Sequence, residues 1–500
     1  MTSVLAIDQS ATSTRAVVFN HLGEVEAISQ REHRQVSPQP GWVEYDPQEI
    51  WANVHIVVDE ALAEAGIDAN EIEAAGITNQ RETTIVWDKS TGEPIYNAIA
   101  WQDTRSQALV DRLARGAGGG LDYAQFHHIV GEQLSTYASI SKIMWILENV
   151  PEAHEKAEAG ELCFGNLDSW LIWNLTGGPH GGVHITDATN ASRTMLMDIR
   201  TLKWSDDICA AAGIPRQILP QIRSSAEVYG FGGGHGPLAG VPIAAALGDQ
   251  QAAAFGQACF TPGMVKNTYG TGCFIMANTG AEPQFSQRGL VTTVAYHISG
   301  RKPVYALEGS VAVAGALVQW LRDNLGVINT SSDVENLAEQ VEDADGIYFV
   351  PASSGLLAPY WCPNVRGSIV GLICAHNKSH IARAVLEATA FQTRDVLEAM
   401  QADMGITFAE LRVDGAMTAN SLLMQFQSDV LAIPVVRSTA AETSALGAAY
   451  AAGIAVGFWD SEAQVAENWE QARRWIPTMP LAERTARIAG WQQAVQRTFS

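Results

Sequence analysis

Apolar and polar positions alternate along the chain in short blocks. Val4-Leu5-Ala6-Ile7 is an unbroken apolar run, the pattern of a buried strand. A polar stretch, Asp8 to Thr14, predicts a turn. Ala16 to Phe19 then predicts a second strand, His21-Leu22-Gly23 a turn, and Glu24 to Ser29 a third strand. A similar plan returns near the middle. Met264-Val265-Lys266 predicts a strand, Asn267 to Gly272 a polar Gly/Thr turn, and Cys273 to Ala277, Leu290 to Tyr296 and Val304 to Leu307 three further strands. Two halves that open alike predict a duplicated α/β domain. Further on, Leu386, Ala390, Thr393, Leu397 and Met400 recur at spacings of four and three, one face of a helix. Leu423, Phe426 and Val430 repeat that spacing before Pro434 ends the segment. Strands alternating with such helices define an α/β architecture. The expected division is a domain over 1–252 and a second over 253–500, with a cleft between them where a ligand would sit.

Two features limit the setting. The longest nearly charge-free stretch, Ala445 to Trp459, is 15 residues of mostly Ala and Gly. A bilayer span needs about 20, so a tightly packed internal helix is expected instead. The start of the chain has neither the basic region nor the cleavage site of a secretory signal. The six cysteines form no CxxC pair, and reduced core residues in a cytoplasmic protein are expected. The Gly-rich stretches Gly116 to Gly120 and Gly230 to Gly240 read as surface loops.

Charge excludes some partners. Among 500 residues there are 31 Lys+Arg against 54 Asp+Glu, a formal net charge of −23. That disfavours nucleic acid and anionic membrane surfaces, while leaving room for an anionic substrate in a local pocket. Hydrophobic residues at 47% and charged residues at 17% fit a folded protein and not disorder.

The polar turns carry candidate chemistry. Asp8-Gln9-Ser10-Ala11-Thr12-Ser13-Thr14-Arg15 offers backbone N–H groups, hydroxyls, a carboxylate and a cation. Asn267-Thr268-Tyr269-Gly270-Thr271-Gly272 offers N–H groups, hydroxyls and two glycines. Successive N–H groups form anion-binding concavities, although the same residues also make plain hairpin turns. No Gly-Lys pair is present, so there is no Walker A loop. Gly234-His235-Gly236-Pro237-Leu238-Ala239 fits a loosened dinucleotide motif, but with a proline and no preceding strand it reads as a loop. His376 and His380, four apart, suit a surface or capping role better than a metal.

Several blocks together are more specific than any one of them. Gly76 to Thr84, Gly248-Asp249-Gln250-Gln251-Ala252, Asn267 to Phe274 and Thr186 to Leu196 resemble the FGGY carbohydrate kinases, in particular those acting on glycerol. The likeness continues through Tyr305 to Asp323, Gly355 to Tyr360, Arg394 to Ala402 and Phe426 to Asp429, nearly the whole chain. It implies two actin-like, ribonuclease H-like domains with a catalytic cleft between them, and transfer of phosphate from Mg-ATP to glycerol. It implies that Arg81 and Glu82 bind glycerol hydroxyls, with Tyr137 adding a phenolic contact. Asp249 would be the general base and Gln250 a hydroxyl partner, with Trp101 and Phe274 covering the carbon chain. Asp8 and Asp249 would face the Mg2+ of Mg-ATP. Ala11, Thr12, Ser13 and Arg15 would lie by the terminal phosphates with Thr271 opposite, and Gly315, Gln319, Ala416 and Asn420 would line the nucleotide. A homo-oligomer, dimer or tetramer, is implied as well.

The residue types suit that reaction. A small polyol is selected by paired donors and acceptors, and Arg-Glu supplies both. Phosphoryl transfer needs an aligned alcohol, a base near its proton and donors for the phosphate charge. Three positions depart from the family. Ser10 and Ala11 replace Gly and Thr in the first turn, and Ala416 replaces the second glycine of an Asp-Gly-Gly motif. A strained Ser10 backbone, a lost hydroxyl at Ala11 and a methyl at Ala416 would weaken ATP binding. The rival readings are another polyol or pentulose kinase of the same family, and a weakened nucleotide-binding module.

Overall fold

The computed structural model describes residues 2–116, 123–234, 236–352, 355–362 and 364–499. Two large mixed sheets organise the chain. The first holds β1 (Ser3–Gln9), β2 (Ser13–Phe19), β3 (Val25–Glu32), β4 (Ile72–Asn79), β5 (Ala226–Phe231) and β6 (Pro242–Gly248) in the order β5-β6-β4-β1-β2-β3. β1, β2 and β3 form an antiparallel meander, and β4 and β6 run parallel to β1. Helix α1 (Pro47–Ala65) covers β2 and β3 with Ile50, Val54, Val57, Val58 and Ala61, spaced along one face.

The second sheet repeats the plan. It holds β7 (Val265–Tyr269), β8 (Cys273–Gly280), β9 (Val291–Tyr296), β10 (Val304–Val311), β11 (Leu411–Asp414), β12 (Val435–Ser438) and β13 (Gln471–Trp475), ordered β9-β10-β8-β7-β11-β12-β13. β7 pairs antiparallel with β8, β8 antiparallel with β10, and β11 and β12 continue parallel to β7. The strand equivalent to β3 is therefore β10, not the first strand after β8. β9 lies outside it as an added edge.

Each opening strand runs further than its apolar run. β1 continues through Asp8 and Gln9, and β7 through Asn267 to Tyr269, because neighbours on both sides satisfy the backbone. The two polar turns shrink to Ser10–Thr12 and Gly270–Gly272.

Helices α2 (Ser139–Asn149), α3 (Asp249–Gly256), α4 (Gly315–Asp323), α5 (Lys378–Met404), α6 (Ser421–Leu431) and α7 (Thr443–Val456) carry or brace the site. The Ala/Gly stretch is α7, buried as expected. It crosses from the second half of the chain to pack on α3 and on β1, β4 and β6. Contact is backbone to backbone: a Cβ on Gly447 would stand 1.8 Å from the Ala252 carbonyl oxygen, and one on Gly76 2.2 Å from that of Ala448. The first sheet and the second half of the chain are thus joined through a helix pair rather than a flexible tether.

Among the described residues no helix is long and apolar enough to cross a membrane. All six cysteines are free. Four are buried, Cys362 is half-buried and Cys374 is exposed, so the expectation of six core cysteines fails at Cys374. The stretch Gly230 to Gly240 is not all loop: it begins inside β5, and Gly232 bridges to Ala239. His235 and the Gly-rich residues 117–120 lie outside the described residues. His380 sits in the capping box of α5, the capping role expected, and His376 accepts the Ile373 N–H.

Candidate active site

The first polar turn joins β1 to β2. In that ladder Asp8 stands opposite Arg15. Burial pushes the Asp8 carboxyl up to about 7; Arg15 opposes the rise, and the charges of Asp249 and Glu442 add to it. Asp8 and Asp249 are therefore near enough for their charges to interact. Arg15 is held in place: its Nη1 lies 2.6 Å from Glu442, its Nε donates to Gln30 at 2.8 Å, and Asp8 is 3.9 Å away. Ser10 keeps an ordinary negative φ, so the expected backbone strain is absent. Its hydroxyl instead fills the turn, accepting the N–H of Ser13 at 3.1 Å and of Thr12 at 3.4 Å while lying 3.0 Å from the Ser13 carbonyl oxygen. Thr12 is exposed, Ala11 half-buried and Ser13 buried.

Arg81 and Glu82 follow β4 and point apart. Glu82 has φ 61°, a left-handed conformation that costs a non-glycine residue about 1–3 kcal/mol. Surrounding bonds hold it there: the hydroxyls of Thr84 and Ser139 both donate to the Glu82 carbonyl, at 3.0 and 3.1 Å. Arg81 grips Glu308 of β10 through both terminal nitrogens, at 2.5 and 2.7 Å. Burial opposes ionisation of Glu308, but Arg81 and Arg193 overcome it and hold the acid down to about 2. The remaining nitrogen, Arg81 Nε, makes no hydrogen bond, with Asp249 Oδ1 3.1 Å away. Glu82 is paired with Arg193 at 2.7 Å, and Arg193 also contacts Glu132 at 3.0 Å. Burial still leaves Glu82 above the usual carboxylate range and Glu132 at about 7.

Tyr137 lies over this cluster. Its ring is 5.6 Å from the Arg193 guanidinium and meets Trp101 edge-on at 5.4 Å, both rings being half-buried. The Tyr137 loop is pinned by the buried Lys142 of α2, whose ammonium donates to the carbonyls of Thr136, Tyr137 and Ala138 at 2.7, 2.7 and 3.0 Å. Asp249 opens α3, where the helix N-terminus favours a carboxylate, and its Oδ1 accepts the Gln250 N–H at 2.8 Å. Gln250 is buried. Its side-chain oxygen accepts from Lys266 of β7 at 2.5 Å, and the same ammonium reaches Thr268 and the carbonyl of Phe274.

The second polar turn meets α4. The Thr271 carbonyl accepts from Ala314 and Ala316 at 2.9 and 3.1 Å, and the Gly270 carbonyl from Gly315 at 3.1 Å. Gly315 is needed there, because a Cβ would lie 2.6 Å from the Gly270 oxygen. Met417 closes the same corner, 3.4 Å from that Cβ position. Thr271, Gln319 and Ala416 are exposed. The conformation that demands glycine falls on Gly415 (φ 91°) and not on Ala416, which takes an ordinary φ at the start of a 3-10 turn. Asn420 caps α6, its side-chain oxygen accepting the Leu423 N–H at 2.8 Å, so its amide nitrogen is what remains for a ligand.

Arg81, Glu82, Trp101, Tyr137, Asp249, Gln250 and Phe274 thus form one linked cluster, with Asp8 and Arg15 beside it. Thr271, Gly315 and the segment after Gly415 form a second. The sequence reading passed over Lys142, Arg193, Lys266, Glu308 and Glu442. A signal existed for one of them, since Glu308 is a charge that follows the apolar run Val304 to Leu307. Among the described residues no group of three or more acidic, His or Cys side chains could cage a metal by itself.

A two-sheet duplicated fold, with carboxylates, an arginine-bearing turn and buried polar groups converging between its halves, defines a phosphotransferase of the carbohydrate-kinase type. Residues 3–256 match the N-terminal domain of the FGGY family of carbohydrate kinases and residues 265–456 its C-terminal domain. The chain belongs to that family. It is 58% identical over 99% of its length to the glycerol kinase of Saccharopolyspora erythraea, covering 98% of that protein. It is 57% identical to that of Clavibacter michiganensis subsp. michiganensis, again over 99% of its length and 97% of the relative. The crystal structure of Plasmodium falciparum glycerol kinase with ADP superposes with a TM-score of 0.92 at 38% identity, covering 100% of this chain and 99% of that one. Xylulose kinase from Lactobacillus acidophilus shares the fold, with a TM-score of 0.86 at 21% identity over 100% and 97% of the two chains.

Proposed function

We propose that this chain transfers the terminal phosphoryl group of ATP to a primary hydroxyl of glycerol, giving sn-glycerol 3-phosphate. One observation carries the reading. Asp249 Oδ1 stands 3.1 Å from Arg81 Nε, a nitrogen that makes no hydrogen bond while the other two are committed to Glu308, and Tyr137, edge-on to Trp101, lies over the Arg193 that pairs with the adjoining Glu82. A carboxylate base and a fixed donor therefore meet next to an apolar wall, as a short polyol requires.

Arg81 Nε and Gln250 bind hydroxyl oxygens, Glu82 and Tyr137 lie along the same polyol, and Trp101 and Phe274 cover its CH groups. Asp249 takes the proton of the attacking hydroxyl as that oxygen bonds to phosphorus and ADP leaves. Arg15 and the N–H groups of Thr12 and Ser13 meet the terminal phosphates from one side and Thr271 from the other. Gly315, Gln319, Ala416 and Asn420 line the nucleotide. Two neighbouring carboxylates without a third ligand suit an ion that keeps water and phosphate oxygens as its other ligands. Asp8 and Asp249 would hold that Mg2+, which when bound neutralises phosphate charge. The two domains, divided near residue 252, shield the reacting phosphate from water.

The test is ADP release from Mg-ATP with glycerol, beside xylulose, ribulose and no acceptor. Glycerol-dependent release that falls by about 10²–10⁴-fold in Asp249→Asn supports both substrate and base. Release with a pentulose alone overturns the substrate, and undiminished release in Asp249→Asn overturns the base.

A further inference from the structure

Lys266 is the second residue of β7 and fully buried. Its ammonium has three partners: the Gln250 side-chain oxygen at 2.5 Å, the Thr268 hydroxyl at 2.9 Å and the Phe274 carbonyl at 3.3 Å. They come from α3, β7 and β8, so one cation ties together two residues placed around the polyol. An ammonium donates three hydrogens and accepts none. The end of the Gln250 amide that faces it is therefore the oxygen, and the other end is the NH2 group. Among the described residues, Gln250 Nε2 has no protein hydrogen-bond partner.

We propose that Lys266 is a positioning residue that locks the Gln250 amide with its NH2 group toward the substrate, so that Gln250 acts only as a donor to a hydroxyl oxygen. This rests on the reading that Gln250 meets the polyol. The consequence is directional. A hydroxyl that accepts from Gln250 keeps its own hydrogen free for an acceptor, and the carboxylate of Asp249 is adjacent, its Oδ1 2.8 Å from the Gln250 backbone nitrogen. An amide free to turn would also offer its oxygen and compete with Asp249 for that hydrogen. Lys266 removes the competing state.

The experiment is steady-state kinetics of the full chain with glycerol and Mg-ATP, for wild type, Gln250→Ala, Lys266→Met, the double variant and Gln250→Glu. Lys266→Met is expected to raise the KM for glycerol about tenfold with the KM for ATP unchanged. The double variant should lose no more than Gln250→Ala alone, because one residue acts through the other. Gln250→Glu retains a partner for Lys266 but replaces the donor by an acceptor. It should raise the KM for glycerol at least tenfold, and it decides the matter even if Lys266→Met does not fold. Independent, multiplying losses in the double variant overturn the proposal. So does a Gln250→Glu enzyme that binds glycerol as well as wild type. If Gln250→Ala leaves the KM for glycerol unchanged in an enzyme that phosphorylates glycerol, Gln250 has been misplaced and the proposal falls with it. If wild type does not use glycerol at all, it is the functional reading that fails.

Discussion

Removing the Ser10 hydroxyl should strengthen ATP binding. In the first turn Ser10 Oγ accepts the N–H groups of Ser13 and Thr12, at 3.1 and 3.4 Å, two of the donors that the terminal phosphates would use. An incoming phosphate must displace that oxygen. The contact at 3.1 Å is a normal hydrogen bond and the one at 3.4 Å a weak one. Together they set a net cost of about 1 kcal/mol, or roughly fivefold in affinity. Ser10→Ala removes the acceptor and leaves the backbone as constrained as before, whereas Ser10→Gly also adds conformational freedom. Both variants should lower the Kd for Mg-ATP about fivefold by isothermal titration, with the KM for glycerol unmoved. If Ser10→Gly gains affinity and Ser10→Ala does not, flexibility and not the hydroxyl is responsible. If neither gains, Ser10 donates to the phosphate or stands clear of it, and the competition argument is wrong.

Other expectations follow from the buried charges. Glu308, buried and held down to about 2 by Arg81 and Arg193, stabilises the fold most above the unfolded glutamate value of 4.5. That contribution, about 3 kcal/mol, fades as pH falls from 4.5 toward 2. Glu308→Gln should therefore unfold earlier in urea at pH 7, and the gap from wild type should narrow with acid; a pH-independent gap would refute the pairing. Lys142→Met leaves three carbonyls of the Tyr137 loop without their donor. It should raise the KM for glycerol at least tenfold with little change in the KM for ATP, and equal losses in both would mean general damage.

The apolar runs announced β1, β2, β7 and β8, and the Ala/Gly composition of α7 announced a helix packed backbone to backbone. What could not be read was how far strands extend once neighbours flank them. Asp8 and Gln9 look like turn residues in composition, yet β2 and β4 satisfy their backbones from either side. Nor does periodicity say that Val304–Val311, and not Val291–Tyr296, lies beside β8, since that choice is made by long-range pairing. The candidate site divides in the same way. Asp249, Gln250, Arg81 and Glu82 stood out by their motif blocks. Their partners Glu308, Arg193 and Lys266 are separated from them by up to 227 residues and become partners only through the fold.

That arrangement decides what the pocket can recognise. Glycerol carries no charge, so the charged groups must first satisfy one another, and only the atoms left over select the substrate. Two of the three nitrogens of Arg81 are spent on Glu308 and one carboxylate oxygen of Glu82 on Arg193. The one nitrogen of Arg81 not bonded to Glu308 is Nε, held rigidly because the fork is already clamped. A lysine at this position would keep the charge and could still pair with Glu308. It has no second, fixed donor to aim elsewhere. Arg81→Lys should therefore retain most of the stability of wild type while raising the KM for glycerol at least tenfold, the loss of one well-placed buried donor. A lysine variant with an unchanged KM for glycerol would show that charge alone is what the site needs, and the assignment of Arg81 Nε to the polyol would fall.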